Sequence, residues 1–223
     1  MKGTWTSWRP WTLVLVLACL WPVPASAAEA GWHLVSDKNG IQVYRQEDAA
    51  RIKTFRGVTR FPIGNPASIE ALLNDYHAIP RWMHFISGGV ELSRRSYMER
   101  KLRFTTELPW PLSDRDVVAD FTVQAVSPTL WRIVAVDDPK APVNEDYVRI
   151  PDLNGRLEFR FFPETREAEA TYEIVMDPGG YIPGWAANIV LKDTPYFTLF
   201  KLRGILAEPQ YQKFHSQVFA QPW

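Results

Sequence analysis

The feature that most constrains the fold is a run of strand-like segments followed by one long helical pattern. Between residues 89 and 176, short stretches rich in β-branched and aromatic residues alternate with turn residues. The predicted strands span residues 89–95, 97–107, 116–126, 130–137, 147–150, 156–162 and 170–176. A series of strands that ends in a helix predicts an α+β fold.

The predicted sheet needs a cover on one face. Leu157, Phe159 and Phe161 share one side of their strand, whereas charged residues occupy the other, which is typical of a sheet wetted on one side. The best candidate for the cover is the helical pattern at residues 185–206, which Pro195 interrupts. We therefore predict a curved antiparallel sheet wrapped around one long helix.

Such an architecture leaves two possibilities for its interior. A long, strongly twisted sheet curls, and a helix of about 10 to 12 Å diameter need not fill the space inside it. A cavity is one outcome. The other is a solid core, because aromatic residues make up 13% of the chain and could fill the same space.

The N-terminal half adds a hairpin and a short helix. Residues 41–46 and 52–61 alternate like strands, and Asn39-Gly40 before them is a strong turn signal. Residues 67–74 have helical spacing after Asn65 and Pro66. Pro80 is expected to end or kink the chain segment after this helix.

The first 27 residues are interpreted as a secretory signal peptide. Lys2 and Arg9 precede an apolar run of about 11 residues, and Ala25-Ser26-Ala27 offers a cleavage site. This run is shorter than the roughly 20 residues of a membrane-spanning helix. The alternatives are a membrane anchor or a lipoprotein modified at Cys19. Cleavage would leave residues 28–223 as one domain in the periplasm or outside the cell.

Charge and cysteine content exclude several classes of function. Without Lys2 and Arg9, residues 28–223 carry 23 basic and 25 acidic side chains, a net charge of about −2. No clustered basic surface is predicted, so a nucleic-acid partner is not expected. The single cysteine lies in the signal peptide, which excludes disulfides and cysteine-ligated metals from the mature chain.

Three widely separated segments resemble the START domain, the lipid-transfer family named for the steroidogenic acute regulatory protein. They are Asp37-Lys38-Asn39-Gly40-Ile41-Gln42-Val43-Tyr44, Leu108-Pro109-Trp110-Pro111-Leu112-Ser113-Asp114-Arg115-Asp116-Val117-Val118, and Asp177-Pro178-Gly179-Gly180-Tyr181-Ile182-Pro183-Gly184-Trp185 with Asn188. The resemblance extends from about Gly31 to about Tyr211. The second and third segments are specific, and the first is weak alone.

The resemblance implies a helix-grip fold in which the sheet curls around the C-terminal helix and a tunnel holds one hydrophobic molecule. It implies binding and transfer, or sensing, of a lipid, no catalytic residues and no cofactor. It also implies transient contact with a membrane surface, and we expect a monomer. The terminal helix would form part of a lid over the tunnel mouth.

Candidate ligand-binding residues follow from the inner face of the strands and from one side of the helix. They are Phe104, Phe121, Val123, Phe159, Tyr172, Ile174, Trp185, Ile189, Tyr196 and Phe200. Each could instead belong to an ordinary core, and a one-residue error in a strand would invert its selection.

The second motif contains charged residues without an expected catalytic role. Arg115 and the adjacent Asp116 could form a local ion pair with a structural role. Equally, the two could be a solvated pair that contributes at most about 1 kcal/mol to stability. Asp114 and Asp116 are two residues apart, and we expect their carboxylates to be solvated and not to form a binding site. Some START proteins bury a charged pair that meets a sterol hydroxyl, but the inner face of residues 117–123 is predicted to be wholly apolar. A sterol-specific site is therefore not predicted.

No metal or catalytic constellation is predicted. His77 and His84, the closest pair of histidines, are separated by Pro80 and are too far apart to share an ion. The alternative to a carrier is an enzyme of the polyketide cyclase or aromatase type, which would need an inward titratable group such as Tyr172, His84 or Arg149. A third possibility is a solid-cored interaction module with an exposed apolar patch.

Overall fold

A computed structural model describes residues 31–47, 53–110, 112–216 and 222. Ten strands form one sheet: β1 (Trp32–Lys38), β2 (Ile41–Gln46), β3 (Phe55–Pro62), β4 (Ile86–Arg94), β5 (Glu99–Thr106), β6 (Arg115–Ser127), β7 (Leu130–Asp137), β8 (Val148–Arg149), β9 (Asp152–Phe162) and β10 (Glu167–Asp177). The helices are α1 (Ala67–Asn74), α2 (Ile79–Trp82), α3 (Gly184–Leu206) and α4 (Pro209–Gln212). The predicted signal peptide lies outside the described residues.

The strand order is β1-β2-β3-β10-β9-β7-β6-β5-β4, and all of these neighbours are antiparallel. Among the described strands, only the two-residue β8 pairs in parallel, with the start of β6. The sheet is curved and does not close into a barrel, and α3, with 23 residues, packs against β2, β3 and β10. The α+β prediction of a curved sheet around a terminal helix is confirmed.

Local sequence accounts for the turn between β1 and β2. Asn39 and Gly40 both have positive φ angles, 53° and 69°, which a two-residue turn of type I′ requires. The two strands that this turn joins are β1 and β2, and β2 in turn pairs with β3. The sequence did not predict a strand at β1, because apolar and polar residues do not alternate clearly in this segment.

Contrary to expectation, Pro80 does not end a helix but begins one. It occupies the first turn of α2, where its missing N–H group has no partner to lose. Pro195 lies inside α3, and the helix continues through it to Leu206. The helix begins one residue before the predicted start.

The core lies between the concave face of the sheet and the helices. Inward residues alternate with outward ones along β5 and β9, and the inward row of β9 is almost fully buried. Trp131, Phe159 and Ile41 are among the largest fully buried side chains. Among the described residues, no helix has the length and apolar character needed to cross a membrane.

Candidate functional site

A cavity remains between the sheet and α3. Its volume is about 140 Å³, counted as space open to the centres of water molecules. On the same measure a single water needs about 10 to 15 Å³, so the cavity is much larger than a water site. The prediction left a cavity and a solid core equally open, and the structure contains the cavity. The solid-cored module is thereby excluded.

The lining is almost entirely apolar. The sheet contributes Leu102, Phe104, Thr106, Arg115, Val117, Phe121, Val123, Ile133, Ala135, Leu153, Gly155, Leu157, Tyr172 and Ile174. The helices contribute Leu72, Leu73, Ile79, Trp82, Ala187, Val190, Leu191 and Thr194. An apolar lining with a few polar groups is the usual composition of a site for a hydrophobic small molecule.

Small residues at the centre of the sheet explain why space is left. Strand register places Phe121 opposite Ala135, Ala135 opposite Gly155, and Gly155 opposite Ile174. Two consecutive positions in this row therefore have a methyl group or no side chain. Above them, α3 faces the cavity with Ala187, which is also small.

Five of the six candidate residues on the sheet line the cavity: Phe104, Phe121, Val123, Tyr172 and Ile174. Phe104 and Phe121 contact each other edge to face, with ring centroids 5.2 Å apart. The sixth candidate, Phe159, is fully buried but does not line the cavity. It lies farther along β9, opposite Trp131 and Ala170, where the core is solid.

The four candidates on α3 lie outside the lining. Trp185, Ile189 and Phe200 are exposed, and Tyr196 accepts a hydrogen bond from the side chain of Asn39 at 2.7 Å. At about 100° per residue, these four fall on the side of α3 opposite to Ala187, Val190, Leu191 and Thr194. The inward side is built of smaller residues, and the aromatic side faces outward.

The third motif connects α3 to the sheet and to β8. The side chain of Asn188 accepts a hydrogen bond from the backbone N–H of Lys53 at 3.3 Å. Gly179 has a φ of 68°, and a Cβ there would lie 2.3 Å from the carbonyl oxygen of Arg149. This close approach requires glycine.

The charged residues of the second motif do not pair with each other. Asp116 is fully buried, and its carboxylate accepts two hydrogen bonds from the Arg149 guanidinium, at 2.8 and 2.9 Å. Arg115 points to the opposite face because successive strand residues alternate, and it lines the cavity. The expected ion pair between Arg115 and Asp116 is therefore not formed. Asp116 was also expected to be solvated, and it is buried instead. Arg149, an enzyme candidate, does not line the cavity.

Two further polar groups in the cavity are Arg100 and Tyr172. Arg100 donates to the carbonyl oxygens of Leu73 (3.1 Å) and Tyr97 (2.9 Å) and to Asn74 Oδ1 (2.7 Å). Burial raises the pKa of Tyr172 far above its usual value. Its phenol therefore stays protonated at neutral pH, and within the described parts of the chain it has no hydrogen-bond partner.

His84 and Phe85 lie at one edge of the cavity, between α2 and β4. The backbone N–H of His84 donates to Thr198 Oγ1 at 3.1 Å, which joins this segment to α3. Burial, assisted by the charge of Lys201, lowers the pKa of His84. Phe85 has a φ of 63°, a strained conformation for an aromatic residue.

Metal binding has no support in the part of the chain that the structure describes. No group of three histidine, cysteine, aspartate or glutamate side chains there is placed to hold an ion. Among the described residues, no carboxylate lines the cavity.

No family model matches the chain. An uncharacterized protein of Pseudomonas aeruginosa is 30% identical over 194 residues, which cover 86% of this chain and 94% of that protein. The crystal structure of a STAR-related lipid transfer protein from Xanthomonas axonopodis is also 30% identical. It covers 80% of this chain and 99% of its own, with a TM-score of 0.70.

More distant structures share the fold alone. Human STARD10 is 19% identical, with a TM-score of 0.67 over 85% of this chain and 78% of its own. The Zhui aromatase/cyclase from Streptomyces is 11% identical, with a TM-score of 0.50 over 75% of this chain and 99% of its own. The same architecture is thus found in proteins with lipid-transfer and cyclase names.

Proposed function

The chain belongs to the STAR-related lipid transfer (START) family, and from that premise we propose that it binds and carries a single lipid without catalysing a reaction. The observation that carries this proposal is the apolar cavity between the sheet and α3. Burying hydrocarbon there gains about 0.8 kcal/mol per CH₂ group. That gain is sufficient to hold an acyl chain away from water while the protein moves between membranes.

The first test identifies the molecule that the protein carries. The protein is purified from its own cells and extracted with solvent, and mass spectrometry determines the lipids in the extract. The proposal expects a lipid near one equivalent, and addition of that lipid should raise the melting temperature. The carrier proposal fails if no lipid co-purifies and no added lipid stabilises the protein.

A second test fills the cavity from Gly155. A Cβ at this position would lie 3.6 Å from Ala135 Cβ, an ordinary contact, so a larger side chain can enter the cavity. Gly155→Leu is expected to abolish stabilisation by lipid while the protein remains folded. The control is Gly204→Leu on the exposed side of α3, where a Cβ meets nothing within 4 Å. Undiminished lipid binding by Gly155→Leu would place the site elsewhere.

The rim of the cavity supports contact with a membrane. Trp110, Tyr181 and Trp185 expose 92%, 92% and 69% of their surface. Trp110 and Tyr181 lie in loops, and Trp185 lies in the first turn of α3. These segments meet where Leu112 packs on Ile182, Ala186 and Ala187, and two of those residues, Ile182 and Ala187, also line the cavity. Exposed tryptophan and tyrosine are well suited to the membrane–water interface. We expect a monomer that binds a membrane transiently and has no affinity for nucleic acid.

An enzyme of the cyclase type is the second candidate, and the unpartnered phenol of Tyr172 is the observation that favours it. Because its pKa is raised by burial, the phenol serves as a hydrogen-bond donor and not as a base at neutral pH. This behaviour fits ligand orientation better than proton abstraction. Recovery of the bound ligand in altered form after incubation would favour the enzyme.

Export remains a proposal that rests on the sequence of residues 1–27. Intact-mass measurement of the protein from its own cells should give a chain that begins at Ala28. A mass that corresponds to a lipidated Cys19 would show a lipoprotein instead.

A further inference from the structure

The inward row of β6 begins with a cation. Arg115, Val117, Phe121 and Val123 all face the cavity, because residues two apart lie on one side of a strand. Only 3% of the surface of Arg115 is exposed. A charged side chain is therefore held at one end of an apolar chamber.

The guanidinium of Arg115 is incompletely satisfied. One terminal nitrogen donates to the carbonyl oxygen of Ser113, but the buried Nε has no hydrogen-bond partner among the described residues. Neither neighbouring carboxylate forms an ion pair with it. Asp114 accepts from the backbone N–H of Leu108 at 3.2 Å, and Asp116 is bound by Arg149. Burial lowers the pKa of Arg115, although an arginine remains protonated even so.

Arg100, the other cavity-lining arginine with a largely buried side chain, provides a contrast. Three oxygen acceptors bind its guanidinium, so it has a structural explanation within the protein. Arg115 has one such acceptor. A buried cation with an unmet donor costs free energy, and an anionic partner would offset that cost.

We propose that Arg115 binds the anionic headgroup of an amphiphilic lipid, a carboxylate or a phosphate, at one end of the cavity. The proposal rests on the proposed carrier function and deepens it by naming the class of ligand. Guanidinium groups bind both oxyanions through paired N–H donors. Thr106, whose hydroxyl accepts from the backbone N–H of Arg115 at 3.0 Å, holds the strand in place beside it.

The rest of the cavity fits a hydrocarbon tail. Across the sheet, Tyr172 lies opposite Leu157, Leu157 opposite Ile133, and Ile133 opposite Val123. Val123 is eight residues from Arg115 on β6, which corresponds to about 26 Å along a strand. The inward residues of β6 between these ends, Val117 and Phe121, are apolar. Arg100 lines the cavity opposite Phe121, but oxygen atoms of the protein already bind its guanidinium. The headgroup is therefore placed at Arg115, and the tail extends toward Tyr172.

The test compares three ligands with the same tail: oleate, 1-oleoyl-lysophosphatidate and oleyl alcohol, each below its micellar concentration. Affinities are measured on the full chain for the wild type, Arg115→Met and Arg103→Met. Arg103 is the matched control because it lies on the outer face, opposite Val118, and does not line the cavity. Oleate and lysophosphatidate distinguish a carboxylate site from a phosphate site.

The wild type is expected to bind at least one anion about tenfold or more tightly than the alcohol, as charge-assisted hydrogen bonds predict. Arg115→Met should lose that advantage and keep its affinity for oleyl alcohol, and Arg103→Met should behave as the wild type. Equal wild-type affinity for all three ligands overturns the proposal, even if Arg115→Met does not fold. An equal loss of affinity for all three ligands in Arg115→Met also overturns the proposal. If no ligand binds and no lipid co-purifies, the carrier function itself fails.

Discussion

Adjacent residues on β6 have opposite surroundings. Arg115 faces the cavity, whereas Asp116 faces the other side of the sheet and forms a two-bond ion pair with Arg149. The Arg149 guanidinium also donates to the carbonyl oxygens of Ala141 and Pro142, so the pair anchors the segment before β8. The Asp116–Arg149 pair is therefore structural, and the free donors of Arg115 are available to a ligand.

Asp116→Asn should be strongly destabilising. The substitution leaves the Arg149 guanidinium without its charged partner in a buried setting, which costs about 3 kcal/mol. Urea unfolding monitored by circular dichroism measures the change. The control is Asp120→Asn, because the Asp120 carboxylate is half exposed and 3.6 Å from Lys101, and we expect a change below about 0.5 kcal/mol. Equal effects of the two substitutions would refute a structural role for the buried pair.

His84 should make stability depend on pH. Burial, followed by the charge of Lys201, lowers its pKa in the folded protein, whereas Asp193 opposes the shift. Just below the unfolded-state pKa of about 6.5, the unfolded chain therefore binds more protons than the folded protein. The free energy of unfolding should thus fall as the pH decreases through this window, and the contribution is fully present above it.

His84→Gln is expected to reduce this loss. Urea unfolding of both proteins at pH 7.5 and pH 5.5 gives the comparison, with the wild type losing more stability than the variant. An NMR titration of the His84 ring provides an independent measurement. A wild-type ring that titrates at or above 6.5 would contradict the prediction.

At the scale of elements, the packing of α3 on β3 depends on Gly57. A Cβ at this position would lie 2.8 Å from both Leu199 Cδ1 and Pro195 Cβ, closer than side chains tolerate. Leu199 is fully buried and the proline ring is rigid, so neither can move away freely. The close approach of α3 to the sheet at this point leaves the cavity to one side of the contact.

Gly57→Ala is therefore expected to destabilise the protein by about 1 to 3 kcal/mol through overpacking. Gly204→Ala supplies a control of opposite sign, because an exposed helical glycine replaced by alanine gains about 0.5 to 1 kcal/mol. Thermal unfolding of both variants measures the two effects. Two variants that shift the melting temperature in the same direction would contradict this view of the contact.

Strand alternation predicted the sheet wall of the cavity better than hydrophobic spacing predicted the helix wall. A period of two leaves only two choices, and the apolar rows of β6 and β10 determine them. The same alternation, extended two residues before Val117, reaches Arg115. The sequence interpretation did not include Arg115 in the inward row of β6. On α3 the aromatic stripe is the stronger signal, but a cavity needs small residues such as Ala187.

At the scale of the whole molecule, the cavity is a product of long-range register. Ala135 and Gly155 are 20 residues apart in the sequence and adjacent only because β7 pairs with β9 in this register. Neither residue attracts attention in the sequence, so a cavity and a solid core could not be distinguished there. The three motifs did indicate the family and its fold, because they supply the turns that bring the strands and α3 together.

The loops around Trp110 and Tyr181 also come together only in the folded molecule, where Leu112 packs on Ile182, and the first of these loops leads directly into Arg115 at the start of β6. If these exposed aromatic residues contact the membrane during lipid exchange, Trp110→Ser combined with Tyr181→Ser should slow the transfer of lipid between vesicles severalfold. The amount of lipid bound at equilibrium should not change, because neither side chain lines the cavity. Transfer of a fluorescent lipid from donor to acceptor vesicles measures the rate.

Phe200→Ser, at the far end of α3 and also exposed, is the matched control and should transfer lipid at the wild-type rate. Equal slowing by both variants would indicate that exposed apolar surface in general, and not this rim, governs exchange.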